Sequence, residues 1–158
     1  MLRNYFPAQR PLPPATTLEE IVIKSLQKFS RQRLYNSLDA RRAVRGSLAN
    51  NPEAVYQNEL YRTMFKVSNG AIIPVPEFFV GYGTGQRGRV DFFDASRRWG
   101  IEALVDSDGV EAHYGRFVGN GKYVQANLSD FIVLNFRKGI PRTTYGIFLS
   151  VLIPNSIV

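Results

Sequence analysis

The spacing of apolar residues divides the chain into a helical first part and a strand-rich second part. Thr17-Leu18-Glu19-Glu20 has the form of a capping box, with Thr17 capping the N3 amide and Glu20 reaching back. Leu18, Val22, Leu26, Phe29 and Leu34 follow at helical spacing, with Lys24, Lys28 and Arg31 toward solvent. A second short helix is expected from Ser37, with Ala40, Ala43 and Val44 inward and Arg41, Arg42 and Arg45 on its other face. Asn51-Pro52-Glu53 is a helix start: a capping Asn, Pro at the first helical position and an acid in the first turn. Tyr56, Leu60, Met64 and Val67 form its stripe, with Tyr61 and Phe65 beside it, and Ser68-Asn69-Gly70 ends it.

Beyond Gly70 the period shortens to that of strands. Residues 71–80 are apolar, but Pro74 and Pro76 restrict them to an edge or a bent strand. Arg89 to Ala95 and Trp99 to Val105 read as a hairpin closed by Ser96-Arg97-Arg98. Asp106-Ser107-Asp108-Gly109 caps a short helix over Val110 to Phe117. The run from Phe131 to Phe136 is a buried strand, and Thr143 to Ile153 supplies the last. This order predicts a mixed α/β (α+β) fold: a central mixed sheet of four to five strands flanked by helices. The expected organisation is a Pro-rich leader (1–15), a basic helical extension (16–50) and a core domain (51–158).

Composition narrows the chemistry. The 158 residues include no Cys and one His, which excludes disulfides, thiol nucleophiles, iron–sulfur clusters and multi-His metal sites. No apolar run reaches the ~18 residues of a membrane span. Met1-Leu2-Arg3-Asn4-Tyr5 lacks a signal-peptide core, so an intracellular setting without membrane contact is expected. The net charge is +7. Nine basic and three acidic residues fall in 1–50, whereas residues 51–158 are nearly neutral. Six of the 13 acids lie between Asp91 and Glu111. Basic surroundings around an acidic island suit a protein that attracts a polyanion and holds a cation within the contact region.

Asp91 and Glu102 stand on the two strands of the expected hairpin. Strand alternation puts Arg89, Asp91 and Phe93 on one face and Val90 and Phe92 on the other. A register that sets Asp91 beside Glu102 leaves two carboxylates that need a proton or a divalent cation between them. Mg²⁺ takes one or two carboxylates, keeps waters and completes its shell with substrate phosphate. Glu59 is a candidate third ligand from the helix, or an exposed acid paired with Arg62. His113 and Arg116 either contact the phosphate or lie on the surface, Arg116 then pairing with Glu111 or Asp108. Arg87 and Arg89 are placed to touch a phosphate backbone, as are Arg41, Arg42 and Arg45. Trp99 reads as core. The Gly-rich segment 81–88 lacks the Lys-Ser/Thr ending of a nucleotide loop.

Four runs carry a family resemblance: Gly88-Arg89-Val90-Asp91-Phe92, Trp99-Gly100-Ile101-Glu102-Ala103-Leu104, His113-Tyr114-Gly115-Arg116-Phe117 and Gly121-Lys122-Tyr123. Together they resemble the PD-(D/E)XK, or restriction-endonuclease-like, nuclease core. More narrowly they resemble the nuclease-like C-terminal domain of Crinkler-type secreted effectors of fungi and oomycetes. The resemblance covers about residues 59–137. It implies a restriction-endonuclease-like fold and a phosphodiesterase using Mg²⁺ or Mn²⁺. The implied substrate is nucleic acid, DNA before RNA, in a host nucleus. Asp91, Glu102 and Glu59 would serve as metal ligands. The alternative is an inactive nuclease-fold module that binds DNA or a host nuclear protein. Leu104 stands where the family pattern usually has Lys, and Lys122 is the first candidate to replace it, with Arg116 and Lys66 behind. The Leu-Phe-Leu-Ala-Lys-like translocation segment of such effectors does not open this chain.

Overall fold

The computed structural model describes residues 16–34, 52–81, 87–105, 109–137 and 148–152. The Pro-rich leader, the expected helix from Ser37 with Arg41, Arg42 and Arg45, and Asp106 to Asp108 lie outside the described residues.

Helix α1 spans Leu18–Leu26, and the Thr17 hydroxyl accepts the Glu20 N–H at 3.2 Å. Only this half of the expected capping box is seen. The Glu20 carboxylate pairs with Lys24 at 3.7 Å, an exposed pair worth little. Leu18, Ile21 and Val22 are buried, and Ser25 joins them because its hydroxyl bonds back to the Ile21 carbonyl at 2.7 Å. Helix α2 spans Pro52–Val67. It buries Val55, Tyr56, Leu60 and Met64 but leaves Tyr61 and Phe65 exposed, so the stripe is narrower than expected. It ends with Asn69 and Gly70 in the left-handed region and a Gly70 N–H to Phe65 carbonyl bond of 2.8 Å, the six-to-one closure of a Schellman motif.

Five strands follow: β1 (Val75–Val80), β2 (Gly88–Asp94), β3 (Trp99–Val105), β4 (Asp130–Arg137) and β5 (Phe148–Leu152). They lie side by side in sequence order. The β3–β4 pair is parallel and the other three are antiparallel. A parallel pair needs a crossover, and it carries the short helix α3 (Val110–Tyr114) and a 3-10 turn at Val124–Ala126. Helix α3 is shorter than the stretch to Phe117 expected from spacing. Strand β3 is buried along almost its whole length, as befits a strand covered on both faces. The last strand, described over Phe148–Leu152, falls within the stretch expected from sequence and completes the sheet against β4.

Two apolar clusters cover the two faces. One joins α1 and α2 to Phe92, Ile101, Ala103, Ile132, Leu134 and Phe136. Within it the Phe136 ring stacks with Tyr56 and Phe29, at 4.7 and 5.8 Å. Trp99 is part of this core, as expected. The other joins Val80, Val90, Leu104, Phe131 and Val133 to the α3 side. Each fully buried Leu, Ile or Phe contributes about 1.5–3 kcal/mol, so the sheet is anchored from both sides.

Strand alternation fails at one position in β2. Val90 and Phe92, two residues apart, belong to opposite clusters, which corrects the expected shared face. The strand turns over across Asp91, and both of its ladders are interrupted there. The β1–β2 partners run 75–93, 76–92, then 78–90, passing over Glu77 and Asp91. The β2–β3 partners stop at Phe92 and Ile101. Opposite the break, Glu77 has a φ of 53°. A non-glycine residue in that region is strained, and such strain collects at functional sites.

Among the described residues no helix is long and apolar enough to cross a membrane.

Candidate active site

The interrupted ladder shapes the site. Continuing the β2–β3 register by one step sets Asp91 opposite Glu102. Instead of a backbone pair, the Asp91 carboxylate itself takes the free donor: Oδ2 accepts the Ala103 N–H at 2.8 Å. The two acids are thus held by adjacent strands where the strands begin to part.

Glu102 is 2% exposed, and its two oxygens are treated differently. Oε2 is clamped. His113 Nδ1 lies 3.0 Å away and Arg116 Nη1 3.6 Å away, both brought up by the α3 crossover. Arg116 Nη2 also lies 3.1 Å from His113 Nε2. A guanidinium cannot accept a hydrogen bond, so Nε2 is the acceptor and the imidazole proton sits on Nδ1, donating to Glu102. Oε1 is buried and has no hydrogen-bond partner. An orphaned buried carboxylate oxygen costs on the order of 1–3 kcal/mol unless something positive meets it.

The electrostatics agree. The Asp91 carboxyl is pushed up to about 7, first by burial and then by the charges of Glu102 and Glu53, against the pull of the Ala103 N–H and the Gln57 side chain. Glu53, in the first turn of α2, is also raised by burial and by Glu102, although the helix N-terminus favours its anion. Gln57, one turn on, donates to Glu53 at 2.8 Å. Tyr123 closes the site from the crossover side. Burial and the Glu102 carboxylate raise its phenol, and its hydroxyl donates to the Arg89 carbonyl.

These positions redistribute the roles expected from sequence. Asp91, Glu102, His113 and Arg116 are brought together. Among the described residues Arg116 pairs with Glu102 and His113 rather than with Glu111; the alternative partner Asp108 lies outside the described residues. Glu59 is directed elsewhere: it receives the Arg62 guanidinium through Nε at 2.9 Å and the Ser30 N–H at 2.7 Å. Arg62 and that amide hold its carboxyl below the usual range. Glu59 therefore pins α2 to the segment after α1, and the acid that α2 brings toward Asp91 is Glu53. Among the described residues no ion pair joins Lys122 to either carboxylate; its ammonium lies over the Tyr123 ring at 5.2 Å. Lys66 stands exposed in the last turn of α2. Arg87 is exposed, and Arg89 pairs with Glu77 at 3.3 Å. Leu104 is packed in the α3-side cluster.

Sequence reading missed Glu53, Gln57 and Tyr123. The signal for the first two was present: they stand four residues apart, beside the buried Tyr56 and Leu60, and so one turn apart on one helix face. The Pro-Glu helix start gave Glu53 a sufficient local explanation as a dipole partner.

A divalent cation fits the pair better than a dedicated cage. Among the described residues no group of three His, Asp or Glu side chains is arranged to hold a metal ion. Two carboxylates, one with an orphaned oxygen and the other reluctant to ionise, match the sparse protein coordination of Mg²⁺.

Comparison of the chain with protein-family models, curated proteins and solved structures found no match.

Proposed function

We propose that this chain is a divalent-cation-dependent phosphodiesterase acting on nucleic acid, DNA before RNA, with Asp91 and Glu102 as the residues that hold Mg²⁺ or Mn²⁺. The observation that carries this reading is the buried, partnerless Oε1 of Glu102 opposite Asp91. When bound, the cation supplies an activated water and neutralises charge at phosphorus. The chain's own residues do the rest. His113 and Arg116 hold Oε2 of Glu102, which leaves Oε1 for the cation. Arg116 also brings the positive charge that the resemblance to the PD-(D/E)XK pattern assigns to the position of Leu104. Glu53, steadied by Gln57, orients water on the α2 side. The restriction-endonuclease-like core, the effector-like setting and the host nucleus belong to the same proposal. The order helix, three antiparallel strands, crossover and parallel strand supports the first of these, the core fold.

A second reading is favoured by one observation. Leu104 is 5% exposed within an apolar cluster, so β3 offers no cation beside Glu102. In that reading the domain is an inactive nuclease fold that binds DNA or a host nuclear protein. The deciding experiment incubates the full chain with plasmid and single-stranded DNA in Mg²⁺, Mn²⁺ or chelator. Cleavage is expected with either metal and none in chelator. Intact substrates under every condition would leave the inactive module.

The two helix acids separate in the same assay. Glu59→Gln is expected to lower the unfolding free energy in urea by about 1–3 kcal/mol, the cost of weakening charge-assisted hydrogen bonds, with cleavage unchanged. Glu53→Gln is expected to slow cleavage about tenfold while the urea midpoint holds or rises, because it removes a charge raised by Glu102.

A further inference from the structure

Beside the paired carboxylates lies a groove that the chemistry above does not use. It has a volume of about 410 Å³ and is lined by Phe79, Val80, Arg87, Gly88, Arg89 and Lys122, within the ~300–1,000 Å³ range of ligand clefts. Its makeup is unusual in two ways. Phe79 is 54% exposed on the edge strand β1, directly across from Arg89. Three cations line the groove with it. Among the described residues Arg87 has no ion pair. Arg89 pairs with Glu77 through side chains that are both more than half exposed, a pair that a phosphate displaces at little cost.

The groove is also built. A Cβ at Gly88 would lie 2.4 Å from the Tyr123 ring and 3.0 Å from the Lys122 stem. Glycine there lets both side chains lie down on β2. The Tyr123 ring supports the Lys122 ammonium while its hydroxyl holds the Arg89 carbonyl. Arg89 precedes Asp91 by two residues, so the groove and the proposed site share strand β2.

We infer that this groove receives a single-stranded segment of nucleic acid, with a base on the Phe79 ring and its flanking phosphates on Arg87, Arg89 and Lys122. A positively charged track with an exposed aromatic is the pattern of single-strand binding, since every base offers a π-face. A duplex presents phosphates but keeps its base faces stacked, and so leaves Phe79 without a partner. Lys122 thereby acquires a role in holding substrate rather than in replacing the motif lysine. The inference rests on the phosphodiesterase reading for the identity of its ligand, and its test reads binding alone, so the two fail separately.

The test uses the full chain in chelator and follows the anisotropy of fluorescein-labelled oligothymidylate, oligouridylate and a duplex of equal length. Wild type is expected to bind a single strand more tightly than the duplex. Phe79→Ala should weaken that binding about 5- to 100-fold, the range of one base–aromatic stack, and Phe79→Trp should restore it. Lys122→Gln should lower the slope of log affinity against log salt by about 0.7, one phosphate contact to a single strand. The tighter of the two single strands identifies the sugar. Because Phe79 is exposed and glutamine keeps most of the Lys122 stem that lies on Gly88, thermal melts of the two variants should stay close to wild type. Equal affinity for duplex and single strand, or a Phe79→Ala variant that binds as wild type, would overturn the inference.

Discussion

Asp91→Asn is expected to abolish metal-dependent cleavage and, in chelator at pH 8, to melt at a higher temperature than the wild type. The first half follows from losing a ligand whose cation supplies several kcal/mol of transition-state stabilisation. At 1.36 kcal/mol per tenfold in rate, the loss is at least about 10²- to 10³-fold. The second half follows from the titration of Asp91, whose carboxyl moves from an ordinary 3.8 to about 7 in the folded chain. Between those values the folded state keeps a proton that the unfolded state has released, so stability falls as pH rises from about 4 to 7 and is level above. Fully expressed, the loss approaches roughly 4 kcal/mol; water and counterions reaching the site reduce it. An asparagine has no such proton to lose. The variant's stability is therefore flatter across that window, and several degrees separate the two melts at pH 8. Mn²⁺ should raise the wild-type melting temperature more at pH 8 than at pH 5.5, because binding must displace the Asp91 proton, and should leave Asp91→Asn unmoved. An Asp91→Asn protein less stable than wild type at pH 8 in chelator would show that the carboxylate is held for the fold.

That trade of stability for a site explains why some of it was legible and some not. Asp91 and Glu102 were legible because a hairpin is local: the short turn at Ser96 to Arg98 fixes the register, and the register sets the acids opposite each other. Helix α2 was legible through its cap and stripe, and β4 through its apolar run. The parallel pairing of β3 with β4 was not, because nothing in either strand specifies which of several neighbours it will meet. The exchange of Glu59 for Glu53 has a related cause. Both acids flank the same stripe, and only the packing of the segment after α1, with Ser30 reaching Glu59, decides which one is consumed. Lys122 was misplaced because its position depends on where Gly88 leaves room, a long-range close approach that spacing does not encode.

The face switch at Asp91 was hidden for the opposite reason. Alternation is a reliable rule for an undisturbed strand, and it put Val90 and Phe92 together. The strained Glu77 backbone on β1 breaks the rule from outside the strand. The same distortion frees the Ala103 N–H for the Asp91 carboxylate. A feature that defeats a local pattern at a pair of buried acids, at a cost of about 1–3 kcal/mol, is better explained by the site it creates than by the sheet it interrupts.

The clamp on Glu102 gives the second large effect, in a double-mutant cycle. Arg116→Met leaves a carboxylate that is 2% exposed with only His113 of the two groups that clamp its Oε2. Removing one partner of a fully buried pair costs about 3–5 kcal/mol. The Arg116 side chain is 31% exposed, so screening by water lowers the expected loss to about 2–3 kcal/mol at pH 8. Glu102→Gln removes the charge that needs the clamp and also relieves Asp91. In the double variant Arg116→Met has little left to damage, and its added cost should fall below about 1 kcal/mol. The coupling, read from urea unfolding in chelator, is then about 1–3 kcal/mol, within the 0.5–3 kcal/mol of residues in direct contact. Arg116→Lys separates charge from shape. A lysine supplies the positive charge but not the fork that reaches Glu102 and His113 together, so it should recover stability more fully than cleavage. Additive losses in the cycle would mean that Arg116 does not hold Glu102 in solution. The orphaned Oε1 would then lose the geometry that makes it a ligand.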